Sequence, residues 1–105
     1  MQRQLEVGLL PDGPLDASVA VMALHLEAAR AILADPATTA LAIILPPAPS
    51  AHRDWRLALA RNLAREVAPK RVNIVAGPQG AAREATLCFL ADAPGVTGQY
   101  LVCDV

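Results

Sequence analysis

Aromatic side chains are scarce in this sequence, which has one Trp, one Tyr and one Phe among its 105 residues. Hydrophobic residues nevertheless make up 54% of the chain, and the mean hydropathy is +0.36. A core with so few rings must be built from aliphatic side chains and alanine, which pack densely only where backbones approach closely. A chain of this length is expected to form one domain.

A block of like charge is also missing. Nine Lys and Arg face ten Asp and Glu, for a net charge of −1, so the basic surface typical of nucleic-acid binding is not expected. The arginines at 53, 56, 61 and 65 predict a solvated helix face, because acidic residues offset them in part. The N-terminus lacks the apolar segment of a secretory signal. The longest apolar run, around TALAIILPP, is too short to cross a bilayer, so no membrane partner is expected.

The two cysteines, Cys88 and Cys103, form neither a CxxC pair nor another metal-ligand spacing. We therefore expect no metal site. Free cysteine commonly behaves as a small hydrophobe, so both are interpreted as reduced, buried thiols of a cytoplasmic protein.

The sequence does contain a regular alternation of two kinds of segment. Short apolar segments rich in β-branched residues predict strands, and longer segments with apolar residues at spacings of three and four predict helices. Proline and glycine separate them. The predicted strands are 3–10, 38–45, 71–77 and 98–105, and the predicted helices are 16–35, 50–68 and 80–92.

This order predicts an α/β fold of the form β-α-β-α-β-α-β. It corresponds to a half-Rossmann parallel sheet of the three-layer type, with four strands and three helices. Helical connections of this length join parallel strands by right-handed crossovers. With strands laid down in chain order, the helices would gather on one face and leave the other bare. The apolar strand TTALAIIL needs cover on both faces, so an oligomer is expected.

The stretch PSAHRDW contains Ser50, His52 and Asp54, the three side-chain types of a hydrolytic triad. Their spacing does not suit one, because residues two apart on a helix do not face each other. We interpret Ser50 as a helix cap and Asp54 as a first-turn anion favoured by the helix dipole. A ligand role for His52 or Arg53 is the alternative.

Two blocks of the sequence resemble short-chain dehydrogenases/reductases. LARNLAREVAPKRVNIVAGP (59–78) is similar to that family's LTRSLALELAPxGIRVNxVAPG, and FLADAPGVTGQYLVCDV (89–105) looks like its FLASDxASYxTGQxLxVDGG terminus. The whole chain, residues 1–105, then resembles the C-terminal half of such a dehydrogenase, a single truncated Rossmann-like domain. The resemblance implies a homodimer formed through the helices at 16–35 and 50–68.

The resemblance also implies functional residues that this sequence does not have. The 105 residues contain no TGxxxGxG or GxGxxG turn to hold the pyrophosphate of NAD(P). The family's spacing places the Tyr of its YxxxK pair at Pro49 and the Lys at Arg53, and proline has no proton to donate. We therefore expect no catalytic residue and no cofactor. NAD(P) would bind only if a partner supplied the phosphate-binding half.

These observations favour a non-catalytic short-chain-dehydrogenase-like module, a pseudoenzyme that acts through oligomerisation or partner binding. A full-length dehydrogenase is one candidate partner. Two alternatives stay open: a subunit of a split NAD(P)-dependent oxidoreductase, and a small-ligand binder at the carboxyl ends of the strands. The candidate ligand-binding residues lie at or just beyond the carboxyl ends of the first three predicted strands: Asp12, Gly13, Ser50, His52, Arg53 and Gly77.

Overall fold

The computed structural model describes residues 1–103, which form one parallel sheet with helices on both faces. Its strands lie side by side in chain order: β1 (Gln2–Glu6), β2 (Ala40–Leu45), β3 (Arg71–Ala76) and β4 (Tyr100–Val102). The helices within these residues are α1 (Pro14–Leu24), α2 (Leu26–Ala34), α3 (Arg53–Val67) and α4 (Ala81–Ala91), and a short 3-10 helix, Ser50–His52, precedes α3. The predicted α/β fold is confirmed, with four helices in place of three. The end of the last predicted strand, residues 104–105, lies outside the described residues.

The two central strands are apolar along their whole length. Every residue of β2 is buried, and in β3 only Arg71 is partly exposed. Ile43 of β2 is paired with Leu5 on one side and with Ile74 on the other. A parallel strand covered on both faces has no polar side, which is the property that the sequence TTALAIIL predicted.

The helices are divided between the two faces of the sheet. Helices α1, α2 and α3 pack on the face that carries Leu41, Ile43 and Leu45, whereas α4 packs on the opposite face over Ala42 and Ile44. The expectation that all helices would gather on one face is therefore wrong. Because the strands follow in chain order, the α4 connection has the opposite hand from the first two, against the usual preference for one hand of crossover.

Polar side chains on β1 explain why one helix suffices on the second face. On this side β1 carries Gln2, Gln4 and Glu6, whose polar heads reach water without cover. The side-chain amide of Gln2 donates to the Leu87 carbonyl at 3.0 Å, and Arg83 lies 3.5 Å from Glu6. The sheet is thus covered within the chain, and the argument for an oligomer from a bare sheet face does not hold.

The predicted helix 16–35 is broken at His25 into α1 and α2, whose axes differ by 44°. Ala17 and Leu33 are both buried. In a straight helix, at about 100° per residue, they would point about 160° apart. The break lets both halves keep their buried side toward the sheet. No single helix within residues 1–103 has the length and hydropathy of a membrane span, although α1 and α2 together have them as a bent pair.

The two thiols differ in exposure, and neither forms a disulfide within residues 1–103. Cys103 is buried, with its Sγ 3.2 Å from the Thr86 hydroxyl, whereas Cys88 is exposed on α4. The prediction of two buried thiols is therefore wrong for Cys88. Its neighbour Leu87 occupies the inward side of α4, and the next residue on a helix points about 100° away.

The charged pair between Arg30 and Glu66 fastens α2 to α3. Two guanidinium nitrogens of Arg30 donate to the Glu66 carboxylate, at 2.8 and 2.9 Å. The hydrogen bond from Arg30 lowers the pKa of Glu66, and the bonds to Glu66 and Glu27 raise the pKa of Arg30. A carboxyl group with a lowered pKa in the folded state contributes stability above its unfolded pKa, and this contribution is lost as the pH falls through the folded pKa.

We expect the Glu66→Gln variant to be less stable than the original chain at neutral pH, because it loses the ion pair with Arg30. The loss should be slight, since the pair is solvent-exposed and screened. The difference in the free energy of unfolding should disappear as the pH falls below the ordinary range of a glutamate. Urea denaturation at a series of pH values measures it. Glu84→Gln on exposed α4 is the matched control, and equal pH profiles for the two variants would refute the role of the pair.

Gly77, directly after β3, allows the end of β4 to approach closely. A Cβ atom built at Gly77 would lie 2.8 Å from the Cys103 carbonyl oxygen and 2.9 Å from the Cys103 Cβ. Both distances are shorter than carbon atoms tolerate, so the end of the sheet would have to move. We expect Gly77→Ala to lower the free energy of unfolding by about 1–3 kcal/mol.

Urea denaturation followed by circular dichroism measures this loss. Gly95→Ala is the control, since a Cβ atom there meets nothing within 4 Å. Loss of a glycine lowers the entropy of the unfolded chain at both positions and by itself favours the folded state. A loss of stability of the same size for both variants would therefore refute the role of the contact with Cys103.

Candidate functional site

The loops that follow β1, β2 and β3 meet at the carboxyl edge of the sheet. Three adjacent pockets lie there, with volumes of about 210, 310 and 350 Å³, and Pro47 forms part of the wall of each. Asp12 and His52 line the smallest pocket, and Gly77 lines the other two. The remaining candidates, Gly13, Ser50 and Arg53, line none of the three. The edge therefore brings part of the predicted set together and leaves part of it outside.

His52 is buried, and both of its ring nitrogens are engaged. Nε2 lies 2.8 Å from the Asp12 carbonyl oxygen, and the Trp55 indole N–H donates to Nδ1 at 3.1 Å. Because Nδ1 accepts a hydrogen bond, the ring proton is on Nε2, which donates to Asp12. His52 thereby ties the loop after β1 to the start of α3. The two candidate residues Asp12 and His52 are neighbours through this bond.

The positions of Ser50 and His52 do not form a hydrolytic site. His52 has no free ring nitrogen to accept the hydroxyl proton of Ser50, a step that a triad requires. Ser50 does not cap the helix either: neither the 3-10 helix nor α3 has a side-chain cap bond. The predicted cap is therefore wrong, because the 3-10 helix delays the first turn of α3 until Arg53. Asp54 lies in that first turn, as predicted.

The most buried charged side chain at this edge is Arg56, whose exposed fraction is 1%. Its Nη1 donates to the Pro46 carbonyl at 2.9 Å and to the Tyr100 hydroxyl at 3.2 Å. The guanidinium carbon lies 5.3 Å from the centre of the Trp55 ring and 5.8 Å from that of Tyr100. Arg56 also lines the smallest pocket, which we call the Arg56 pocket: Leu9, Leu10, Pro11, Asp12, Pro46, Pro47, Ala48, Pro49, His52 and Arg56.

The sequence interpretation missed Arg56 because it grouped all four arginines of this segment on one solvated face. A signal was present in the spacing. Arg56 precedes Leu59 by three residues and Leu63 by seven, which places it on the buried side of α3. By contrast, Arg53 is exposed, although the family's spacing puts its catalytic lysine there.

A comparison with protein-family models establishes the relationship. The model described as SDR-like, short chain dehydrogenase-like protein, matches residues 5–103. The chain belongs to this family. The SDR-like match extends the resemblance carried by residues 59–105 back over the first two strands. Comparisons with curated proteins and with solved structures give no match.

Within the SDR-like fold, the edge at Pro49 differs from the pattern that the resemblance implies. Pro49 occupies the place of the family's tyrosine and forms part of the wall of the Arg56 pocket. Among residues 1–103, no group of three or more His, Cys, Asp or Glu side chains is placed to hold a metal ion. The side chains that the Arg56 pocket offers to a small molecule are one buried arginine, one buried histidine, one exposed carboxylate and apolar walls.

The hydrogen bonds of His52, which connect the loop after β1 to the start of α3, can be tested with a variant of His52. A variant of the exposed Ser50 serves as the control. We expect His52→Ala to lower the free energy of unfolding by about 1–3 kcal/mol, because the N–H of the partly buried Trp55 loses its acceptor. Ser50→Ala should change it by less than about 0.5 kcal/mol, since Ser50 is exposed and makes no cap bond. Chemical denaturation of both variants measures the difference. A larger loss for Ser50→Ala than for His52→Ala would contradict the assigned roles.

Proposed function

We propose that this SDR-like chain is a non-catalytic module that associates with a second copy of itself through α1. The observation that supports the proposal is a stripe of exposed apolar side chains, which we call the α1 stripe: Leu15, Val19 and Met22, with exposed fractions of 81%, 64% and 48%. Spacings of four and three residues put them on one side of the helix. A contiguous apolar surface of this kind is typical of a protein interaction site.

Helix α1 is apolar on its opposite side as well, where Ala17 and Val21 pack into the core. A helix that is hydrophobic all round is normally covered all round. Within residues 1–103 nothing covers the outer side, which supports cover by another molecule.

The composition of α1 favours a second copy as that molecule. Its one charged residue is Asp16, near the N-terminus, and the α1 stripe itself carries no charge. In a symmetric dimer the same surface meets itself. An antiparallel arrangement of two α1 helices, each about 16 Å long, would pack stripe on stripe and keep the two Asp16 carboxylates at opposite ends.

The interface proposed here is narrower than the one that the family resemblance implied. The exposed side of α3 carries Arg61 and Arg65, and a symmetric contact there would place like charges opposite each other. We therefore assign the contact to α1, with α3 at its rim.

The non-catalytic part of the proposal rests on the residues at the carboxyl edge. Pro49 supplies no acid, Arg53 points to solvent, and the imidazole of His52 is occupied by two hydrogen bonds. General acid–base catalysis needs a group that can reach and transfer a proton. The expected absence of a cofactor, with NAD(P) bound only where a partner supplies the phosphate-binding half, stays a prediction. A full-length dehydrogenase as partner and a cytoplasmic location also stay predictions.

We expect the chain to be dimeric and Val19→Glu to raise the dimer dissociation constant at least about 100-fold. The variant loses a buried Val side chain and places an unpaired carboxylate in an apolar contact, which together exceed about 2.7 kcal/mol. Size-exclusion chromatography with light scattering, over a dilution series, measures the dissociation. Val19 is exposed in the single chain, so its substitution should leave the circular dichroism spectrum unchanged.

Ala85→Glu is the matched control for this experiment. Ala85 is exposed on α4, on the other side of the sheet, and the substitution adds the same carboxylate to a helix. The control should keep the association of the original chain. A monodisperse monomer for the original chain at every concentration would refute the proposal, and so would equal dissociation of both variants.

A further inference from the structure

Arg56 is a buried cation that has no anionic partner among the described residues. Its residue is 1% exposed, and within residues 1–103 no carboxylate lies within salt-bridge distance of it. Its Nε is buried and has no hydrogen-bond partner in this part of the chain. A buried charge that is not paired destabilises a fold strongly, and arginine does not lose its proton in proteins. An anion bound beside Arg56 would therefore compensate this buried charge.

The immediate surroundings of Arg56 do not supply a negative charge. The Pro46 carbonyl and the Tyr100 hydroxyl bond to Nη1, and the rings of Trp55 and Tyr100 lie beside the guanidinium group. These contacts orient the group and offset part of its desolvation, but none carries a negative charge. Arg56 also lies in the first turn of α3, where the helix dipole is positive, so the local potential adds to the charge of the side chain.

The Arg56 pocket gives an anion a place to bind. Its volume is about 210 Å³, and its walls are mostly apolar, from Leu9, Leu10 and four prolines. A dry cavity of about 150 Å³ is sufficient for benzene, so this pocket has room for a body of that size with a small charged group. Among the described residues that line it, Arg56 is the one arginine or lysine. A carboxylate accepts a charge-assisted hydrogen bond from a guanidinium group, and the apolar walls suit an organic body better than an inorganic phosphate ion.

We propose that the Arg56 pocket binds a small organic carboxylate with an apolar body about the size of a benzene ring. The carboxylate pairs with the guanidinium group of Arg56, and the body lies against Leu9, Leu10 and the proline walls. Asp12, whose exposed side chain also lines the pocket, opposes an anion by like-charge repulsion and so limits the affinity. The site is independent of the proposed dimer contact, since α1 stripe residues do not line it.

A titration of the 15N-labelled chain with benzoate tests the proposal directly. Trp55 is the single tryptophan. Its indole N–H donates to His52, which lines the pocket, and its ring lies 5.3 Å from the guanidinium carbon of Arg56, so its resonance responds to binding there. We expect a saturable shift of that resonance with benzoate. Benzamide, which is neutral and of nearly the same shape, should bind at least about ten-fold more weakly, because a hydrogen bond to a charged group contributes about 1.5–3 kcal/mol. Inorganic phosphate should also bind more weakly than benzoate.

Two variants complete the test. Arg56→Met should weaken benzoate binding at least about ten-fold, while the melting temperature without ligand stays equal or rises, because an unpaired buried charge is replaced by an apolar side chain. A purely structural arginine would instead lower the melting temperature. Asp12→Asn, at an exposed position, should bind benzoate a few-fold more tightly.

Equal affinities for benzoate and benzamide would overturn the proposal, as would unchanged benzoate binding by Arg56→Met or the absence of any shift at millimolar benzoate. If Arg56→Met does not fold, the two ligands and Asp12→Asn decide the question on folded protein. The monomeric Val19→Glu variant should keep the benzoate affinity of the original chain, so failure of the dimer proposal and failure of this one can be told apart.

Discussion

The strand β2 sets the main constraint on this small fold, because it has no polar side. All six of its residues are buried, and a strand of this kind needs a neighbour on each edge and a cover on each face. Strands β1 and β3 pair with the two edges of β2, and α1, α2 and α3 cover one face of the sheet. Since connections of one hand would place every helix there, the last helix must cross to the other face. The unusual hand of the α4 connection thus follows from the need to cover Ala42 and Ile44 within 105 residues.

The same constraint places the candidate site. Parallel strands put all their carboxyl ends on one edge, so the loops after β1, β2 and β3 converge. The prolines at positions 46, 47 and 49 keep the β2 loop from continuing as strand or helix, and they form the walls between the pockets. Arg56 then reaches under this loop from the buried side of α3 and holds the Pro46 carbonyl. The arginine that shapes the loop is therefore also the charge that the pocket presents.

The sequence correctly predicted the strands and helices whose apolar residues follow one regular spacing. The four strands and α4 were recovered within a few residues, because their apolar patterns agree with their burial. It failed where two local rules compete. The segment 16–35 is apolar on most of its circumference, so its pattern could not show that the buried side drifts and forces a break at His25. Ser50 looked like a cap because the 3-10 helix that begins there has no sequence signature. Arg56 was wrongly assigned to a solvated face because it is charged. Its spacing of three residues from Leu59 correctly places it on the buried side of α3.

The two features proposed here as functional are an exposed apolar surface and a buried charge that the described residues do not pair. A stable small domain should bury its apolar surface and pair its buried charges, as the buried Arg83 does with Glu6. The α1 stripe instead leaves apolar side chains exposed, and Arg56 is buried with no carboxylate within salt-bridge distance among residues 1–103. They lie on different parts of the surface and favour different partners, one apolar and extended, the other small and anionic. Because neither feature improves the stability of the isolated chain, we propose that each is completed by a bound molecule.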